Sequence, residues 1–410
     1  MSQDEYIAKT KFVTKLGLSL HSCGATSHRI ERHLSGVSQM LGINGEFLTS
    51  PTSFTFVFWN EDPDKQLIRT KRVQPGGGDL GLLVNLDTLI QEFSDQKLSF
   101  YEMDQQLNET LKIPPYYNKT IQSLAWGVGS FFFSTLLSKS SYDAIVSGVI
   151  SFFLFYLLDL CARRERFDNL IEITAAGSAG IIVSLIAALG APINVPFCIL
   201  SSIIILVPGL AITVALSEMA QRDLISGTAK FVDAVMSLIK LYLGAIIGIG
   251  IGAFILDDVD ANTLHGIRDL PQWITWPALI MLTGAVTIAF NIHPKFIGWC
   301  LVSALVAYTI SDLATKQFNY TTGVLLGSLA VGVYSNLYAN ITNHPASLVL
   351  SVGLILLVPG SKTYIILNSW ITGKQMIEDT PNPTQAFLIF IALVGGLLLS
   401  NALVPTKKSL

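Results

Sequence analysis

Hydrophobic residues follow two different patterns along the chain, and the change between them lies near residue 117. In the first part, short stretches with an apolar residue every three or four positions predict amphipathic helices. A run of aromatic and β-branched residues predicts a strand, with a second strand after a turn. The predicted elements are helices around 6–20, 30–41, 80–94 and 99–111, and strands over 54–59 and 67–73. Residues 1–117 therefore predict a small soluble α+β domain.

Beyond residue 117 the chain is dominated by long apolar segments. A helix needs about 20 largely apolar residues to cross the hydrocarbon core of a membrane. Ten segments approach that length: 121–137, 143–160, 173–190, 194–216, 235–256, 274–291, 296–312, 322–340, 346–368 and 385–404. The pattern predicts a mainly α-helical polytopic membrane protein, with five spans in residues 118–265 and five in residues 266–410.

Composition agrees with a membrane protein and narrows its partners to the lipid bilayer and a small ligand. Hydrophobic residues make up 51% of the chain and charged residues only 13%, against about 25% in soluble domains. The net charge of −3 lacks the basic character that nucleic-acid binding requires. The four cysteines show no metal-binding spacing, so neither a metal nor a cofactor is expected. Whether the protein forms a homo-oligomer stays open.

The distribution of positive charge predicts the orientation in the membrane. The first residues are charged and do not resemble a secretory signal peptide, so the first domain is expected in the cytoplasm. Lys and Arg concentrate in cytoplasmic loops of membrane proteins. With that orientation the inner segments carry Arg163, Arg164, Arg166, Arg222, Lys230, Lys295, Lys407 and Lys408, and the outer loops only Lys139, Arg268, Lys316 and Lys374. We therefore expect both termini on the cytoplasmic side of a bacterial inner membrane.

The two sets of five spans carry matching short sequences. Pro208 and Gly209 in the fourth span correspond to Pro359 and Gly360 in the ninth, 151 positions later. A Gly-Ser pair recurs at nearly the same offset, at 177–178 and 327–328. Because five is odd, a second copy would cross the membrane in the opposite sense, and such a five-plus-five inverted repeat is a transporter architecture with its site near the midplane. The Pro-Gly pairs would break their helices and free backbone groups for a substrate, although packing kinks would give the same pattern.

Four stretches together resemble the threonine/serine exporter family. They are 24–31 (GATSHRIE), 205–213 (ILVPGLAIT), 223–227 (DLISG) and, in the second half, 357–361 (LVPGS). The resemblance covers nearly the whole chain and implies that two modules, separate proteins in some bacteria, are fused here. It also implies export of small amino acids driven by the proton gradient, with alternating access between the two broken helices. Split members are linked to dicarboxylate export, which remains an alternative.

Candidate substrate-binding residues flank the two Pro-Gly pairs. Lys362 lies two positions beyond the second pair, where a membrane-embedded cation usually faces a cavity, although its long side chain could instead reach the membrane surface. Thr213, Ser361 and Thr363 offer hydroxyl groups, which can equally bond to their own helix. Asn336 in the eighth span could contact substrate or hold helices together.

Two carboxylates are candidates for carrying the coupled proton. Glu172 begins the third span and Asp223 follows the fourth. A carboxyl group whose pKa is raised by burial can bind and release a proton near neutral pH. For Glu172, a surface ion pair with the basic run 163–166 is the competing interpretation.

A membrane-tethered hydrolase is a second alternative to transport. His21, Ser22, His28, Glu31 and His33 are close in sequence, and Ser-His-acid groups can form nucleophilic sites. The sequence lacks a nucleophile-elbow motif, and these residues also fit the solvated face of a helix. The triple glycine 76–78 lacks the residues of a phosphate-binding loop. We therefore favour a transporter over an enzyme.

Overall fold

The computed structural model describes residues 2–60, 64–256, 270–357, 364–365 and 383–405. Its N-terminal domain contains helices α1 (Gln3–Ser22), α2 (Ser27–Met40), α3 (Leu80–Ser94) and α4 (Phe100–Thr110) and strands β1 (Asn44–Thr49), β2 (Ser53–Trp59) and β3 (Gln66–Arg72). The strands form one antiparallel sheet in the order β1-β2-β3. The predicted helices and hairpin are confirmed. Strand β1 was not predicted, because only Phe47 and Thr49 of its six residues face the core.

The sheet is held to the helices by three aromatic side chains of β2. Phe54, Phe56 and Phe58 alternate along the strand and are fully buried, as a strand with one face on the core requires. Leu16 of α1 and Leu34 of α2 belong to the same buried cluster. Burying each phenyl ring contributes roughly 1.5–3 kcal/mol, so this face fixes how α1 and α2 lie on the sheet.

The remainder of the described chain is helical. The helices are α5 (Lys119–Ser138), α6 (Ser141–Cys161), α7 (Ile171–Ala188), α8 (Val195–Ser202), α9 (Gly209–Ala220), α10 (Leu224–Leu256), α11 (Thr275–Ala289), α12 (Ile297–Gln317), α13 (Tyr320–Thr342), α14 (Ala346–Leu357) and α15 (Pro383–Leu403). Within the described residues, six helices are long and apolar enough to cross a membrane, or seven if the bent α8–α9 pair is one span. The membrane class is confirmed, whereas the count of ten spans is not.

The fourth predicted span is broken between Ser202 and its Pro-Gly pair. Helix α8 ends at Ser202, a short 3-10 turn (Ile204–Leu206) follows, and α9 begins at Gly209. The axis of the segment Ile204–Ala220 is bent by 59° from that of α8, so the bend precedes Pro208. Pro208 cannot donate a backbone hydrogen bond, which favours the start of a new helix at this point. The predicted break is therefore present. In the ninth span α14 ends at Leu357, and Pro359 and Gly360 lie outside the described residues.

Equivalent helices of the two halves pack in the same way. Helix α7 lies along α10, where a side chain on Gly248 would overlap the carbonyl oxygen of Gly177. Helix α13 lies along α15, where a side chain on Gly396 would overlap Ser328. In both pairs successive contacts advance along both chains, so the helices are parallel, and small residues permit the close approach.

The N-terminal domain covers one end of the helices, which we call the domain side. It contacts the α9–α10 connection through Ser27, the α11–α12 connection through Asp79, and the start of α14 through Arg29. At the opposite end, Leu270 donates a backbone hydrogen bond to the carbonyl of Lys139. Three connections that the prediction places on one face of the membrane therefore touch the domain.

Candidate functional site

The first helix break meets the helix that leads to the second Pro-Gly pair. Leu210, two positions beyond Pro208, packs against the buried cluster that contains Leu354 and Leu357 of α14. Ile355 of α14 and Gly209 also line a common cavity of about 90 Å³ whose other lining residues are apolar. The first break and the described end of α14 are thus neighbours.

Of the predicted substrate-binding residues, Pro208, Gly209, Thr213 and Asn336 lie in the described part of the chain. Thr213 is buried, and its hydroxyl donates to the carbonyl of Gly209 at 3.0 Å, so it bonds to its own helix. Pro359, Gly360, Ser361, Lys362 and Thr363 lie outside the described residues. A role of Pro208, Gly209, Thr213 and Asn336 in substrate binding stays a prediction.

Asn336 holds two helices together. Its amide nitrogen donates to the side-chain oxygen of Asn401 at 2.9 Å and to the carbonyl of Val404 at 2.8 Å. Asn340, one turn later, donates to the carbonyl of Pro405. Both residues thus attach the end of α15 to α13, which is the second of the two interpretations that the sequence left open.

Glu172 pairs with α10 rather than with the basic run that precedes it. Its carboxylate lies 3.7 Å from the Lys240 ammonium and accepts a hydrogen bond from the Ser237 hydroxyl at 3.1 Å. The competing interpretation, a surface pair with residues 163–166, is not what the described residues show, because helix packing places Lys240 of α10 opposite Glu172 of α7. Glu172 therefore joins the two parallel helices of the first half.

The N-terminal domain is attached to the end of α9 by what we call the Glu218 cluster, formed by Ser27, Glu218, Ser226 and Lys230. Glu218 is only 3% exposed. Its carboxylate accepts the backbone N–H of Ser27 at 3.2 Å, the hydroxyl of Ser226 at 3.1 Å and the ammonium of Lys230 at 2.5 Å. The Ser226 hydroxyl donates its only hydrogen to Glu218. The Ser27 hydroxyl is therefore the donor in its 2.6 Å hydrogen bond with the Ser226 oxygen.

The Glu218 cluster also completes the start of α2. Thr26 is the N-cap residue but makes no capping hydrogen bond with its side chain. The first N–H groups of a helix lack partners within the helix and attract negative charge. Glu218, 191 positions away in sequence, supplies the acceptor for one of them. The motifs 24–31 and 223–227, quoted separately above, therefore meet in space.

Arg29 joins the domain to the start of α14. Its guanidinium donates to the Ser347 hydroxyl at 3.1 Å and to the Asp87 carboxylate. Burial by itself would raise the pKa of Asp87, but the hydrogen bond from His33 and the positive charge of Arg29 outweigh it and hold the pKa below its ordinary value. Helix α2 thus contacts two of the predicted spans. It contacts α9, in the fourth span, through Ser27, and α14, in the ninth, through Arg29.

A cavity of about 650 Å³ lies between these two attachments, and we call it the interface cavity. Its walls are the polar face of α2, the end of α9 and the start of α14, and it includes Asp223. Glu31 also lines it, and burial, together with the charges of Asp223 and Glu218, raises the pKa of Glu31 despite the hydrogen bond from the Thr49 N–H. The predicted proton carrier Asp223 therefore lies close enough to Glu31 for its negative charge to raise the pKa of Glu31.

A third attachment reaches the connection between α11 and α12. The Asn291 side chain donates to the Asp79 carboxylate at 3.1 and 3.2 Å and accepts the backbone N–H of Tyr116 at 2.9 Å. The adjacent backbone N–H of Leu80 donates to the carbonyl of Phe290. The triple glycine ends here, and its backbone passes close to the end of α1, where a side chain on Gly76 would overlap a carbonyl oxygen.

The residues proposed for a hydrolase do not converge in the described structure. His21 contacts the carbonyl of Gln74, and the Ser22 hydroxyl donates to the carbonyl of Ser19 in its own helix. His28 and His33 instead line the interface cavity. Among the contacts of the described residues, none joins Ser22 to a histidine.

Sequence reasoning did not identify Glu218 and Lys230. Glu218 is the one carboxylate in α9. It lies five positions before the family-like stretch 223–227, and this closeness in sequence could have marked it as a candidate site residue. What it binds could not be read from the sequence, because its partner Ser27 belongs to a different domain.

Comparison with known proteins agrees with this arrangement of two halves and a preceding domain. Residues 11–252 match the family model ThrE, described as "Putative threonine/serine exporter". Residues 277–403 match ThrE_2, described as "Threonine/Serine exporter, ThrE". Both modules therefore lie on one chain, as predicted. No solved structure matches this chain.

Curated relatives are fungal membrane proteins and longer chains. An uncharacterized protein of Schizosaccharomyces pombe is 22% identical over 82% of this chain and 45% of its own length. Pheromone-regulated membrane protein 10 is 21% identical in Yarrowia lipolytica and 23% in Candida albicans, over 93% of this chain and 32% and 35% of those proteins. This chain thus spans between about a third and a half of the relatives it matches. With the first family model covering more than half of it, the chain belongs to the threonine/serine exporter family.

Proposed function

We propose that this protein is a secondary active exporter of small hydroxy amino acids such as threonine and serine. The family membership supports a transporter of this class. The observation that carries the mechanism is the position of Leu210, just beyond the first break, which packs against the buried cluster that includes Leu354 and Leu357 at the end of α14. Backbone that leaves the helix inside a membrane is tolerated where it lines a cavity or protein interior.

In the proposed mechanism, the two halves form an inverted repeat of five and five helices, and this contact lies where the halves meet. The parallel α7–α10 and α13–α15 pairs occupy equivalent places in the two halves, each with small residues at its interface. In such architectures one half rocks against the other around a central site. Alternating access would then occur around Pro208 and Gly209 and their counterparts Pro359 and Gly360.

Export of a substrate against its gradient requires a coupled driving force, and we propose an inward flow of protons in exchange. Asp223 is the better-supported carrier, because it lines the interface cavity at the end of α9. Glu172 is the second candidate, and its protonation would weaken the contact with Lys240 between α7 and α10. Either change would alter how helices of the first half pack.

The domain side is assigned to the cytoplasm in this proposal. The connections that touch the domain include Arg222, Lys230 and Lys295, and cytoplasmic loops are rich in such residues. Export then runs from the domain side to the opposite side. The bacterial inner membrane stays a prediction, since the curated relatives described above are fungal.

Transport by the full chain in proteoliposomes tests the function. Liposomes loaded with threonine, with an imposed proton gradient, should release it faster than protein-free liposomes, and excess serine should compete. Leu210→Trp, which fills the small cavity at the break, should abolish efflux. Leu189→Trp is the matched control, because Leu189 is 84% exposed. Absence of efflux from the wild type would reject the proposal, and competition by succinate alone would favour the dicarboxylate alternative.

A further inference from the structure

The interface cavity lies where a substrate from the domain side must pass to reach the helix breaks. Glu218 to Asp223 at the end of α9 form one part of its wall, and Ala346 and Ser347 at the start of α14 form another. Helix α2 closes it from the domain. Both α9 and α14 continue from here to the two broken regions, so the cavity opens between the helices that would carry substrate.

The charges around the interface cavity are only partly neutralised by one another. Lys230 neutralises Glu218, Arg29 neutralises Asp87, and Lys97 neutralises Asp95. Two further carboxylates, Glu31 and Asp223, and two further guanidinium groups, Arg32 and Arg222, line the cavity. Within the part of the chain that the structure describes, no ion pair engages any of these four groups. The cavity therefore offers both signs of charge to a ligand.

We propose that the interface cavity is an entrance site that binds a small zwitterionic amino acid before it reaches the helix breaks. Arg32 and Arg222 would receive the carboxylate of the ligand, since guanidinium groups match carboxylates geometrically. Glu31 and Asp223 would receive its ammonium group. The inference rests on the proposed export function and adds a second binding site to it.

The balance of charges distinguishes this ligand from other small ions. A dicarboxylate would satisfy the two arginines but would place its negative charge near Glu31 and Asp223, where like charges repel. A metal cation would leave the arginines without a counter-charge. A zwitterion satisfies both sets, and a volume of about 650 Å³ lies in the range of small-molecule sites, with room for accompanying water.

Substitutions that remove one charge without changing shape test the entrance site. In the proteoliposome assay, Arg32→Gln and Glu31→Gln should each raise the threonine concentration for half-maximal export, presented from the domain side, by about tenfold or more. The glutamine at position 31 can still accept the Thr49 N–H. Arg72→Gln is the matched control, since it removes the same charge from an exposed position on β3. Each variant must have a thermal midpoint within about 2 °C of the wild type, so that an effect on folding is excluded.

Two outcomes separate this inference from the proposed function. If the wild type exports threonine and both cavity variants keep the wild-type half-saturation, the entrance site is rejected and the function stands. If the wild type exports nothing, the function fails, and calorimetric titration of the full chain with threonine decides on the cavity. Binding that Arg32→Gln weakens about tenfold and Arg72→Gln does not would support the site, whereas no binding to the wild type would overturn it.

Discussion

The attachment of the N-terminal domain should depend on the charge of one buried carboxylate, Glu218. Glu218→Gln keeps the size of the side chain and an oxygen that can accept the Ser27 N–H. It removes the negative charge that neutralises Lys230, whose side chain is only 22% exposed. We therefore expect loss of the charge, and not loss of packing, to destabilise the protein.

The magnitude follows from the burial of the pair. Removing one partner of a fully buried ion pair costs about 3–5 kcal/mol. Lys230 keeps part of its hydration at 22% exposure, so about 2–3 kcal/mol is expected here. At roughly 2 °C per kcal/mol for a large domain, the unfolding midpoint should fall by about 4–6 °C.

Unfolding can be followed with a thiol-reactive dye on the detergent-solubilised protein. Cys23, Cys198 and Cys300 are buried free thiols, so the dye reports loss of tertiary structure. Glu5→Gln is the control: it removes a carboxylate that is 41% exposed, and its partner Lys9 still donates to the carbonyl of Leu41, so its midpoint should match that of the wild type.

The double variant Glu218→Gln/Lys230→Met tests the reason for the change. It removes both charges, so it should recover at least half of the stability that Glu218→Gln loses. The reasoning is refuted if Glu218→Gln has the midpoint of the Glu5→Gln control. It is also refuted if the losses of the two single substitutions simply add in the double variant.

Three further predictions follow from contacts in the described residues. Gly248→Val should prevent the close approach of α10 to α7 and sharply lower the yield of folded protein. Gly250→Val should keep the wild-type yield, because Gly250 has open space around it. Equal yields of the two variants on size-exclusion chromatography would contradict this. The lowered pKa of Asp87 means that its stabilisation is complete above the unfolded value of about 3.9 and is lost as the pH falls through the folded value. The gap in thermal midpoint between wild type and Asp87→Asn should therefore be wide at pH 7 and narrow towards pH 3, and a constant gap would argue against it. Asn336→Leu should cost about 1–2 kcal/mol through two lost hydrogen bonds, while unchanged stability with abolished transport would identify it as a substrate residue instead.

Local patterns were sufficient for most of the helices and strands. The spacing of apolar residues in 30–41 marked α2, and the aromatic run 54–59 marked β2, because both reflect one buried face of a single element. The break at Pro208 was also predictable, since proline lacks the backbone donor wherever it lies in a helix. Strand β1 was not predicted, because its residues are recognisable as a strand only from their pairing with β2.

The candidate site was less accessible to sequence reasoning. Glu172 and Asp223 were chosen because they are carboxylates near the ends of predicted spans. The neighbouring sequence indicates neither that Glu172 pairs with Lys240 nor that Asp223 lines a cavity. Asn336 was recognised as unusual, and its two hydrogen bonds to the end of α15 come from residues 65 and 68 positions away. A polar residue in an apolar helix is visible in a sequence, whereas what it contacts depends on helix packing.

The sequence by itself determined the membrane class, the separate first domain, the two Pro-Gly stretches and the family. These properties depend on composition, on periodicity within one element, or on short stretches of neighbouring residues. Only the tertiary structure decided that Ser27 binds Glu218 and that Arg29 binds Ser347, across 191 and 318 positions. Buried polar groups must find partners wherever the fold brings them, so these contacts, and the interface cavity between them, arise only when the domain lies on the ends of both broken spans.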